Sequence, residues 1–153
     1  MKQKQQYSLP QTTHDAYSVV AELGQKFENK HPISAEDQIV LGEILRTSAI
    51  SESVKLQAVT VISNVIIDNP ADAQPTTARR LAKFIQHGTE QTSFVDFDPS
   101  SVMGHGVNAL IAYTAEQYLD PEMQGILLAA AHKAPQHGVP EKKAQKLMKA
   151  ILD

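Results

Sequence analysis

Apolar residues recur at steps of three and four along most of this chain, and each run is cut by proline or a capping residue before the next begins. That punctuated period near 3.6 constrains the fold more than any other feature, because a strand buried on one face repeats every second residue. Tyr17, Val20, Leu23 and Phe27 open the pattern behind Thr12 or Thr13, and this helix should end before His31-Pro32. Ser34 caps a second helix, with Glu36 and Asp37 in its positive first turn and Ile39, Val40, Ile44 and Leu45 facing inward, running to about Ser48. A third opens at Ser51 or Ser53, carries Val54, Ala58, Val61, Ile62 and Val65, and stops before Asn69-Pro70. Its β-branched stretch VTVISNVII also suits a strand, but its length and flanking caps favour helix.

A fourth helix fits Thr76 or Thr77 to about His87, with Leu81, Ala82 and Ile85 inward, Arg79, Arg80 and Lys83 outward, and Gly88 closing it. The polar stretch from Thr89 to Ser100 reads as the longest central loop, tucked in by Phe94, Val95 and Phe97. Ser100 or Ser101 then caps a fifth helix carrying Met103, Val107, Leu110, Ile111 and Tyr118. Asp120-Pro121-Glu122 is a restart signal for a sixth, ending near Lys133. After Pro140 a final amphipathic helix sets Ala144, Leu147, Met148 and Ile151 against an outer face with Lys142, Lys143, Lys146 and Lys149.

These readings predict an all-α, single-domain bundle of about seven short helices over residues 12–153, behind a flexible polar lead-in at 1–11. The alternative is a HEAT-like stack of helix pairs, since consecutive pairs are spaced near 40 residues, roughly the period of such repeats, although no residue pattern recurs at that period. Gln86-His87-Gly88 and Gln136-His137-Gly138 repeat each other after two helical segments, which is too short a match to establish a repeat.

Composition removes several chemistries. With no cysteine there is no disulfide, thiol nucleophile, iron-sulfur cluster or thiolate zinc site. A net charge of -3 disfavours general nucleic-acid binding. No apolar segment reaches bilayer length and the N-terminal stretch lacks a secretory apolar core, so a cytoplasmic protein without membrane association is expected. The charge total hides a polarity. Residues 84–132 hold six acids and neither Lys nor Arg, whereas residues 133–153 hold five lysines against two acids. An acidic surface of this kind either receives the terminal helix within the fold or meets a basic partner.

Three places are candidates for chemistry. His87, Asp96, Asp98 and His105 bracket the central loop and form a reasonable imidazole and carboxylate set for a metal or for acid-base work, though with no diagnostic spacing. Capping and turn roles explain the same residues. Gly104-His105-Gly106, near the start of the fifth helix, could admit an anion or simply a close-packed neighbour. The terminal lysines, joined by Arg79, Arg80 and Lys83, could contact phosphate, or be a solvated face. No nucleophile elbow, phosphate loop or dinucleotide fingerprint is present, and no cofactor is expected. The preferred expectation is a non-catalytic protein-interaction module, a regulator, adaptor or immunity-like accessory protein, acting through an acidic, partly apolar surface. Glu90, Asp96, Asp98, Glu116, Asp120 and Glu122 would meet a basic protein partner there, and homodimer formation is compatible with the apolar helical faces. The alternative is a small enzyme or metal-binding protein using the His and Asp residues between 87 and 105.

Overall fold

The computed structural model of the chain describes residues 9–88 and 98–153. Among them there are seven α-helices and no strand: α1 Thr13–Glu28, α2 Ala35–Arg46, α3 Glu52–Asp68, α4 Pro75–His87, α5 Pro99–Glu116, α6 Pro121–Lys133 and α7 Glu141–Leu152, with short 3-10 turns at Pro70–Asp72 and Ala134–His137. Side-chain caps start four of them. Thr12, Ser34, Asp98 and Asp120 each accept a backbone N–H from the first turn they precede. The β-branched third segment is helical, and residues on most of its circumference are buried, including Leu56, Val59, Ile62 and Ile66. A helix enclosed this way needs no polar face, which is why its amphipathic signal is weak.

The packing order is regular. α1 packs on α3, α3 on α5 and α5 on α7, while α2 packs on α4 and α4 on α6, and the two rows meet through α2–α3, α4–α5 and α6–α7. The bundle is therefore two-layered, built from stacked helix pairs around one continuous apolar core. Neighbours within a row run the same way: Thr13 of α1 meets Ala49 and Ser51 before α3, and Gln38 of α2 meets Gln74 and Thr77 of α4. One end of the molecule, the turn end, collects the C-termini of α2, α4 and α6 with the N-termini of α1, α3, α5 and α7. The opposite, joint end collects the remaining termini and the connections 29–34, 69–74 and 117–120.

Four sequence expectations need correction. Ile39 is 37% exposed, and Gln38 and Leu41 take the inward positions of α2 instead. α5 begins at Pro99 with Asp98 as its cap, ahead of where a Ser100 or Ser101 cap would place it. Tyr118 lies beyond α5, because the chain leaves the helix at Gln117, whose side-chain amide donates to the carbonyls of Pro70, Ala71 and Ala73 at 3.0, 2.9 and 3.2 Å. Arg79 and Arg80 are partly buried and diverge, the first to Glu122 of α6 and the second to Glu43 of α2. α7 packs on α5 and α6 by Ala144, Leu147 and Ile151, and among the described residues none of its lysines forms an ion pair with an acid of the 84–132 segment.

Candidate functional site

The acidic candidates separate by position. Glu90 and Asp96 lie outside the described residues. Asp98 is at the turn end and is spent on capping, accepting from the Ser100 amide and hydroxyl at 3.0 and 2.9 Å and from the Ser101 hydroxyl at 3.3 Å. Those donors hold its carboxyl below the usual carboxylate range, the Ser100 hydroxyl contributing most. Glu116, Asp120 and Glu122 come together at the joint end, around the connection between α5 and α6.

That connection is short and fixed at both sides. Gln117 is fastened to the carbonyls of the Pro70–Asp72 turn and its flank, and Asp120 caps α6 through the Met123 amide at 2.8 Å. Between these two anchors Tyr118 stands 87% exposed, with Glu116, Asp120 and Glu122 exposed around it. Asp72, on the turn that Gln117 grips, adds a further exposed carboxylate. Arg79 reaches this face, with its guanidinium 3.7 Å from Glu122. Burial pushes the Tyr113 phenol up; the nearby Asp120 charge adds to the rise and Arg79 opposes it, which sets these groups within electrostatic reach of one another.

No protein-family model matches the chain, and neither a curated protein nor a solved structure matches it.

His87 and His105 lie in different surroundings. His87 is exposed at the end of α4, in a cleft walled by α2 and α3. His105 is half-buried in a shallow polar hollow on the other side of α5, shared with Ser101, Asn108 and Lys143. Its Nε2 donates to Asn64 Oδ1 of α3 at 2.7 Å, leaving Nδ1 as the acceptor of a neutral ring. Burial, and then the Lys143 charge, lower its pKa and favour that neutral form. Among the described residues no group of three His, Asp or Glu side chains is placed to hold a metal. Gly104 and Gly106 sit past the first turn of α5, where their amides belong to the helical ladder and not to an anion. A side chain at 106 would press on Ile85 of α4, so that glycine allows two helices to approach closely.

The paired tripeptides turn out to be neighbours. His137 Nε2 donates to the Gln86 carbonyl at 3.1 Å, and its ring lies on Gly88, where any β-carbon would collide with it. Each tripeptide ends in a glycine of positive φ, 72° at Gly88 and 88° at Gly138, at the turn end of successive helix pairs. Three residues carried that correspondence; nothing else in the sequence marks it.

Proposed function

We propose that this protein is a non-catalytic interaction module that takes up a basic protein partner at the acidic connection between α5 and α6. The observation that carries this reading is Tyr118, exposed among Glu116, Asp120 and Glu122 on a connection already fixed by Gln117 and Asp120. Tyrosine joins a large apolar area to a polar tip and is enriched where interfaces concentrate their energy. A rigid presentation lowers the entropy lost on binding, and surrounding carboxylates steer a cationic surface toward it. Among the described residues no helix is long and apolar enough to cross a membrane, which fits a partner reached from solution.

The test is capture of the partner by the intact chain, compared with a Tyr118→Ala variant and with a Glu116→Lys, Glu122→Lys double variant. Both are expected to abolish capture while leaving the circular-dichroism spectrum unaltered. Undiminished capture by the double variant, with the same spectrum, would reject this surface.

A further inference from the structure

At the opposite, turn end of the molecule, a cleft of about 290 Å³ opens between the end of α2, the start of α3 and the end of α4. Among the described residues Arg46, Lys55, Arg80 and Lys83 line it, against one lining carboxylate, Glu52. Glu43 stands beside them and is shared by both arginines, at 3.2 Å from Arg46 and 3.9 Å from Arg80. Among the described residues these permanent charges leave an excess of two positive charges. Among the described residues no carboxylate lies within ion-pair distance of Lys55 or Lys83, and Arg80 Nε is buried with no acceptor. Leu45 and Phe84 supply an apolar wall to the same space.

From this juxtaposition we infer that the cleft binds a small organic phosphate monoester, its dianionic head among Arg46, Lys55, Arg80 and Lys83 and its apolar body against Phe84. A monoester carries a charge of roughly -1.5 to -2 near neutrality, which matches the excess, whereas a simple carboxylate supplies half of it. Arginine guanidinium groups present forked donors that suit phosphate oxygens, and lysines add mobile point charges. The volume is at the lower limit of small-molecule sites, roughly 300 Å³, so it suits a phosphate with one ring and excludes a long polyphosphate. Bringing four cations together against two carboxylates costs stability in the empty protein, and an anion that binds only the folded state recovers it. Burial lowers the Lys55 pKa, and the Glu52 charge opposes that shift.

The probe is phenyl phosphate, titrated calorimetrically into the intact chain at constant ionic strength, with inorganic phosphate and benzoate as comparisons. Saturable one-to-one binding is expected, at least tenfold tighter for phenyl phosphate than for either comparison, together with a rise in melting temperature. Lys55→Gln with Lys83→Gln should weaken it at least tenfold, while Lys142→Gln with Lys146→Gln, on the exposed face of α7, should leave it unchanged. Both pairs are exposed or half-exposed side chains whose replacement spares the core. Absence of saturable binding, or equal loss in the α7 variant, would overturn the site. Equal affinity for inorganic phosphate would overturn the role of the Phe84 wall. None of these outcomes touches the Tyr118 surface, which is at the other end of the bundle.

Discussion

Gly88 ends α4 at φ 72° and ψ -166°, a backbone conformation populated almost solely by glycine, and the His137 ring occupies the place of its missing side chain. Gly88→Ala therefore combines backbone strain with a collision, and should cost about 2 kcal/mol or more in urea unfolding. Gly125 gives the opposite contrast. It is exposed inside α6 with open space around its missing side chain, so Gly125→Ala should stabilise by about 0.5 to 1 kcal/mol through helix propensity alone. Equal effects of the two substitutions would contradict both arguments. His105 supplies a pH dependence of definite sign. Its pKa in the folded protein lies below the ordinary 6.5, so the unfolded chain binds the proton more readily. The stability this histidine contributes is complete above the unfolded value and declines as pH falls through that value toward the folded one. His105→Gln can keep a hydrogen bond to Asn64 without titrating, and urea midpoints measured near about pH 7.5 and about pH 5 should differ less in that variant than in the parent protein.

Among the helices, α2 and α4 show where sequence reasoning stops. The start of α6 was legible because Asp120, Pro121 and Glu122 act on adjacent backbone, and the same holds for Ser34 at α2. The inward turn of Gln38 was not, since its partners are 34 to 39 residues away: its amide donates to the Asp72 carbonyl, its Oε1 accepts from the Gln74 amide at 2.9 Å, and Thr77 donates to its main-chain carbonyl at 2.8 Å. A buried glutamine that satisfies a distant loop carries no local pattern, so an apolar period reads Ile39 inward in its place. Gln38→Leu keeps the size of the side chain but leaves the Gln74 amide without its acceptor, and should destabilise by about 1 to 3 kcal/mol. A calorimetric unfolding scan that matches the parent protein would show that water replaces the glutamine at no cost. Asp98 was visible only as a capping residue of unspecified helix, because three serine and aspartate positions in succession all suit that role.

At the level of the whole molecule, alternating helix direction biases the balance of charge at the two ends. Segments remote in sequence arrive at the same end: Glu28, Asp68, Asp72, Glu116, Asp120 and Glu122 at the joints, with Lys26, Lys30, Arg79 and Lys149 among them, and Arg46, Lys55, Lys83, Lys142 and Lys143 at the turns, with Asp15, Glu43, Glu52, Asp98 and Glu141. Charge blocks along the chain do not indicate which end of the fold a charge reaches, since that depends on which helices run parallel. The proposed partner surface and the proposed phosphate cleft fall at opposite ends for this reason. The layering has another measurable effect. Among the described residues every substantial helix contact joins elements no more than two helices apart, so α7 rests on α5 and α6, and α1 on α2 and α3. Leu147→Ala, in the fully buried face of α7, should cost about 2 to 4 kcal/mol. Its effect on amide hydrogen exchange should be largest in α6 and α7 and smallest in α1 and α2; uniform acceleration throughout the chain would contradict this gradient.

Among the described residues, stacking pairs in order also leaves α1 and α7 apart, not closed on each other as they would be in a ring. Damage is then expected to be graded by distance along the row, so that a terminal pair loosens before α3 and α5 do, as the last storey of a short column would.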